Sequence, residues 1–330
     1  MRLNTHPRLL FITLVALSVL LSTSHSLVFA ANAQEKKPET TEQNNETTTA
    51  APKSNKTADK TIPATTEKTT EDAHQHQVII RAPVNAFAQQ QQDIKHYLAQ
   101  EKITPLLVGP DNYLTTTDEH TTGINKGVMV LIPDWQQGIS APNALNQLRK
   151  NIPQYGWTTI TLHPPSKPAN YPSQALTAEE RSSQNTETLT NYRQKLADIM
   201  RAVIAKAKSY PGVIMIVAEG SHAALILDIC HQGLLDAPSA MVMLSSYMPT
   251  MPEGEKIAQQ LAVSDYPILD LYLKRDNGLV IANAKMRKDF AKREMKVYYR
   301  QKQLHNQITG YYPKNSLAKE IISWLNAIGW

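Results

Sequence analysis

The chain has 330 residues, with 34 Lys and Arg against 29 Asp and Glu, a formal net charge of +5 and a single cysteine. The positive charge is modest and scattered, with no basic cluster interleaved with aromatics, which excludes a nucleic-acid reader. One cysteine excludes an intramolecular disulfide, and there is no zinc-ligand spacing.

Residues 1–30 read as a secretory signal peptide. Arg2 and Arg8 supply the positive start, Leu9 to Leu21 the apolar core, and Val28-Phe29-Ala30 the small residues for cleavage. The apolar run is about 13 residues, short of the roughly 20 that span a bilayer as a helix, so no transmembrane span is expected after cleavage. An uncleaved anchor is the alternative. Residues 31–76 are rich in Thr, Glu, Lys, Asn and Pro, with Ile62 the only large apolar residue. Such a tract cannot bury enough surface to offset its ordering entropy and is expected to be a disordered tether. Gln77 to Trp330 is the right length for one α/β domain.

That domain opens with a short strand at Val78–Ile80, an amphipathic helix at Gln89–Gln100, and strands at Ile103–Val108 and Tyr113–Thr117 around a Gly109-Pro110-Asp111-Asn112 turn. This is the pattern of an antiparallel hairpin. Apolar strands and helices then alternate. Strands are predicted at Val128–Ile132, Trp157–Leu162, Val213–Val217, Ala240–Leu244, Ile268–Tyr272 and Lys296–Tyr299. Helices are predicted at Pro142–Ile152, Thr186–Ser209, Ser221–Gln232 and Leu317–Ile328. Apolar runs without clean alternation belong to strands covered on both faces, and βα alternation implies a doubly wound, mostly parallel sheet. Cys230 falls in an apolar helix, where a buried structural thiol is expected. Lys and Arg concentrate between Lys285 and Lys302, as on a solvated helix face, with weak attraction to anionic lipid or cell-wall polymer left open. The Pro- and Ser-rich stretch between Leu162 and Thr186 is either a lid or a surface insertion. No GxGxxG and no P-loop occur, so no cofactor is expected.

Sites in such sheets lie at the carboxyl ends of the strands. There the chain places Asp134 and Trp135, then Glu219, Gly220, Ser221 and His222, then Ser245 and Ser246, then Asp276, and last His305. The order of elbow, Pro267-Ile268-Leu269-Asp270-Leu271-Tyr272 with Asp276, and Val297-Tyr298-Tyr299 with His305 resembles the α/β-hydrolase superfamily. The resemblance implies nucleophile, acid and histidine in that order, and it makes Gly127–Gly138 the segment that supplies part of an oxyanion hole. More narrowly, the exported N-terminus, the Pro-Ile-Leu-Asp-Leu-Tyr strand and the Glu-Gly-Ser-x-Ala elbow resemble the bacterial exported family called domain of unknown function 3530. That narrower resemblance implies a periplasmic location.

The elbow departs from G-x-S-x-G. A strained apex needs small residues on either side. Centred on Ser221 those neighbours are Glu219 and Ala223; centred on Gly220 they are Ala218 and His222. Glycine takes the turn without strain, and the strand length also favours Gly220, which makes Ser221 the start of a helix and a candidate cap. Glu219, at the mouth of the sheet, should either pair with Arg275 or Lys274 or have a raised pKa that makes it a candidate acid or base. Two functions follow. One is a serine hydrolase of esterase or acyl-transfer type, with a small ester as candidate substrate, Ser221 attacking, His305 as base and Asp276 orienting it, which requires Ser221 Oγ within reach of His305. The other is a non-catalytic protein that binds a cell-envelope component, which requires Gly220 at the apex.

Overall fold

The computed structural model describes Ala82, residues 84–314 and residues 316–330. The signal peptide, the tether and the strand at Val78–Ile80 lie outside the described residues. Eight strands form one sheet in the order β1-β2-β4-β3-β5-β6-β7-β8. They are β1 (Ile103–Val108), β2 (Asp111–Asp118), β3 (Gly127–Ile132), β4 (Trp157–Leu162), β5 (Val213–Glu219), β6 (Ala240–Leu244), β7 (Ile268–Leu273) and β8 (Tyr299–Leu304). β1 and β2 form an antiparallel hairpin, β2 runs antiparallel to β4, and every pairing from β4 to β8 is parallel.

The continuous apolar runs of β3, β5 and β6 are buried on both faces. Val128, Val130, Ile132, Ile216, Ala218, Met241 and Met243 point into one core. Met129, Leu131, Met215, Val217, Val242 and Leu244 point into the other. Helices α3 (Ala178–Ala207), α4 (Gly220–His231) and α5 (Met251–Val263) cover the first face, and α2 (Ala144–Asn151) and α7 (Ser316–Ala327) the second. The remaining helices are α1 (Ala86–Tyr97) and α6 (Gly278–Arg293), the latter packed on α5. Among the described residues no helix is long and apolar enough to cross a membrane.

Several boundaries move for identifiable reasons. α3 starts at Ala178 rather than Thr186, because Thr177 Oγ1 accepts from Glu180 N at 3.2 Å in a Thr-x-x-Glu capping pattern. α1 starts three residues earlier than its periodicity suggests, capped by Asn85. β8 is Tyr299–Leu304, not Lys296–Tyr299. It is a polar edge strand, and the apolar Val297 and Tyr298 that attract attention in the sequence are exposed. α5, amphipathic but with Pro252 and Gly254 near its start, is absent from the sequence reading. Asp270, in the middle of the buried β7, is held by Arg287 through Nε at 2.8 Å and Nη2 at 3.0 Å, with Tyr299 and Gln301 donating to the same carboxylate. This ion pair, buried on both sides, explains how a carboxylate can occupy a central strand position.

Candidate active site: a glycine elbow occupied by a carboxylate

β5 runs to Glu219 and α4 begins at once with Gly220. Gly220 has φ +60°, the left-handed apex conformation of a strand-to-helix elbow. The position that carries the nucleophile in such an elbow therefore bears no side chain. Ser221 is the next residue, in the first turn of α4. Its Oγ is fully buried, and among the described residues it has no hydrogen-bond partner and makes no cap. The Tyr247 hydroxyl approaches Ser221 and Trp135 without completing a bond to either.

In this elbow type, the N–H that follows the apex is one oxyanion-hole donor and the loop after β3 supplies the other. Here Ser221 N donates to Asp134 Oδ1 at 2.8 Å. The Trp135 and Gln136 backbone N–H groups lie near the same carboxylate without completing a hydrogen bond to it. The carboxylate stands directly over the apex: a Cβ built on Gly220 would lie 2.3 Å from Asp134 Oδ1 and 2.4 Å from its Cγ. One side chain thus fills both the place of a nucleophile and the donors meant for an oxyanion. Burial pushes the Asp134 pKa up to about 6, and the Ser221 N–H, with the neighbouring backbone N–H groups and Lys167, pulls it partly back.

Asp276 follows β7, and Ser245 occupies one of its carboxylate oxygens. Ser245 Oγ donates to Asp276 Oδ2 at 2.6 Å, with Leu273 N on the same oxygen at 3.0 Å and Asn277 N on Oδ1 at 2.9 Å. Ser245 is held at φ +45°, and its hydroxyl also meets Tyr312 OH at 2.8 Å. His305 is exposed just beyond β8, and among the described residues its ring makes no hydrogen bond or ion pair. Its neighbour Asn306 turns inward instead, binding Arg275 N and O. Ser221, Asp276 and His305 are therefore not brought into one hydrogen-bonded array.

Glu219 is 5 % exposed and has no ion pair among the described residues; Arg275 donates to Gln307 O instead. Burial first, then the nearby Asp134 and Asp276 charges, raise its pKa to about 8. At neutral pH the carboxyl beside the apex is mostly protonated.

His222 is fully buried, with Nδ1 2.6 Å from Pro133 O and Nε2 2.6 Å from Tyr192 OH, which lies 2.7 Å from Pro165 O. Three contacts between two carbonyls need three protons, whereas a neutral imidazole and a phenol supply two. Burial lowers the His222 pKa to about 4, so one contact in this chain is mismatched at neutral pH.

The model of the family described as "Protein of unknown function (DUF3530)" matches residues 12–327. The chain belongs to this family. No curated protein is similar enough in sequence to count as a relative. Among solved structures, the DUF3530 chain is similar to Est1E from Butyrivibrio proteoclasticus (9 % identity, 68 % of this chain and 99 % of that one, TM-score 0.49). It is also similar to the esterase domain of a Rhodothermus marinus protein (10 %, 69 % and 96 %, TM-score 0.46). A third is XC6422 from Xanthomonas campestris, an α/β serine hydrolase without a lid (10 %, 70 % and 97 %, TM-score 0.47).

In this DUF3530 protein the segment from His163 to Thr177 is pinned to α1, α3, α5 and the loop after β3. His163 stacks on Phe87 with centroids 4.6 Å apart, Pro165 O meets Tyr192, and Ser173 N donates to Asn185 Oδ1 at 2.7 Å. Tyr171 packs edge-on against Trp135 at 5.7 Å and its hydroxyl donates to Glu253 Oε2. A Tyr171→Phe variant keeps the ring and loses that bond. It should lose about 1.5 kcal/mol and show faster amide exchange confined to 163–177; unchanged exchange there would mean that the bond does not hold the segment. Residues missed in the sequence are those that act sideways. Asp134 and Ser245 are visible at strand ends, but only their contacts reveal what they occupy. Tyr192 and Tyr312 come from helix α3 and a late loop with no motif.

Proposed function

We propose that the protein is a non-hydrolytic α/β-hydrolase-fold protein, exported and tethered in the cell envelope, whose cleft has passed from chemistry to structure or binding. The observation that carries this reading is the Asp134 carboxylate seated on Ser221 N over a glycine apex. A tetrahedral oxyanion needs those donors free, and a carboxylate beside it would repel the charge that develops there. Supporting it, Asp276 is engaged by Ser245, and His305 is exposed and among the described residues has no partner. The fold by itself implies no activity. Export and the envelope location rest on the signal-like residues 1–30 and the polar tract at 31–76.

The test is labelling with a fluorophosphonate probe, beside Ser221→Ala. The expected result is no labelling of the folded wild-type protein. Labelling that vanishes in Ser221→Ala would restore the serine-hydrolase reading with Ser221, His305 and Asp276.

A further inference from the structure

A cavity of about 650 Å³ opens near the carboxyl edge of the sheet, between α1, the loop after β3 and the loop after β8. Its volume falls in the range of about 300–1,000 Å³ typical of small-molecule sites. Side-chain amides dominate its polar wall, those of Gln90, Gln136, Gln137 and Asn143, beside Ser140 and Asp93. Asn143 Nδ2 donates to Gln137 Oε1, and Gln90 Nε2 reaches Gln136 O at 3.5 Å. Among the described residues the Gln136 amide, Gln137 Nε2 and Gln90 Oε1 have no hydrogen-bond partner. Two tyrosines line the same cavity, Tyr97 at 71 % and Tyr311 at 51 % exposure.

The lining discriminates by chemistry. It contains no Lys, Arg or His, and its one charge is Asp93, so an anion would gain nothing there. Its aliphatic content is confined to Ala141 and Pro142, too little for a purely apolar ligand. A side-chain amide offers a donor and an acceptor from the same group, which matches hydroxyls that both give and accept. An exposed tyrosine presents an apolar ring face with a polar rim, which matches the C–H face of a pyranose ring. We propose that this cavity binds a neutral oligosaccharide, with Tyr311 and Tyr97 as stacking platforms and the Gln136, Gln137 and Gln90 amides binding ring hydroxyls. The cavity shares the loop after β3 with the elbow, but neither Gly220 nor Ser221 lines it, and the assignment does not depend on whether the elbow is catalytic.

The experiment screens the purified protein on an array of neutral oligosaccharides and titrates any hit by calorimetry. Tyr311→Ala is compared with Tyr298→Ala, a control at a tyrosine exposed elsewhere to 60 %. The expected result is saturable binding of at least one neutral glycan, weakened at least about tenfold by Tyr311→Ala and unchanged by Tyr298→Ala. No neutral glycan bound, binding of acidic glycans or peptides alone, or equal loss in both variants would each overturn the assignment. Both variants remove an exposed ring, so loss of fold is checked by their unchanged thermal transitions.

Discussion

A Gly220→Ala variant is expected to be strongly destabilised, although it adds only one methyl group. At φ +60° a residue with a Cβ pays about 1–2 kcal/mol for the left-handed conformation. The new Cβ also meets Asp134 Oδ1 at 2.3 Å. Forcing an extra carbon into a packed site costs about 1–3 kcal/mol more. The combined loss should lower the midpoint of thermal unfolding by roughly 5–15 °C for a domain of this size. The clash term belongs to Asp134, so the double variant Asp134→Ala/Gly220→Ala should recover about 1–3 kcal/mol of the additive sum in a double-mutant cycle. Strict additivity would mean that the Asp134 contact does not set the cost. Gly220→Ser should carry the same penalty and remain unlabelled by a fluorophosphonate. It rebuilds a hydroxyl at the apex but supplies no base, since His305 is exposed and Ser245 holds Asp276.

The second large effect is a decline in stability between neutral and mildly alkaline pH that one residue controls. Folded Glu219 ionises near pH 8, while in the unfolded chain a glutamate does so near 4.3. Its contribution is therefore complete below about pH 4.3 and is lost as pH rises towards 8. Asp134, raised to about 6, follows the same sign over a lower window. His222 and His163 run the other way, because burial lowers both to about 4. Their contribution is present above the unfolded value of about 6.5 and is lost as pH falls through about 4. Between roughly pH 4.5 and 6.5 the two pairs oppose each other. Above 6.5 the Glu219 loss outweighs the last gain from the two histidines, whose unfolded forms are still half protonated at that pH. At about 1.4 kcal/mol per pH unit for full titration, wild-type protein should lose about 1 kcal/mol between pH 6.5 and 8. Glu219→Gln fills the same volume without titrating, so its stability should instead rise by about 0.6 kcal/mol across that interval. Parallel curves for the two proteins, measured by denaturant unfolding at closely spaced pH, would rule Glu219 out as the source.

The sheet was legible because burial on both faces leaves a plain mark. Runs such as Val128–Ile132 and Ala240–Leu244 have few polar residues to confuse their period, and the structure returns both within a residue. Edge elements were harder. β8 reads Tyr-Arg-Gln-Lys-Gln-Leu, and such a polar string becomes a strand only through its parallel pairing with β7. α5 carries Pro252 and Gly254, usually signs of a turn; here Pro252 sits in the first turn and Gly254 lies against Asn283 of α6. The Asp in the Pro-Ile-Leu-Asp-Leu-Tyr run would contradict a buried strand had Arg287 not come from α6 to pair with it.

By itself the sequence determined the fold class and the place of the elbow, because both follow from short-range patterns: apolar runs, capping residues and the small residues a tight turn demands. It also narrowed the apex to two adjacent residues, since a strand of fixed length can end at only one or two positions. What stands over that apex was decided by tertiary structure alone. Asp134 and Ser221 are far apart in the chain, and Ser245, Asp276 and Tyr312 come from three separate loops; no local rule links them. The raised Glu219 pKa likewise depends on burial and on carboxylates brought near by the sheet. Backbone preference is a property of neighbours in sequence, whereas electrostatic environment is a property of neighbours in space.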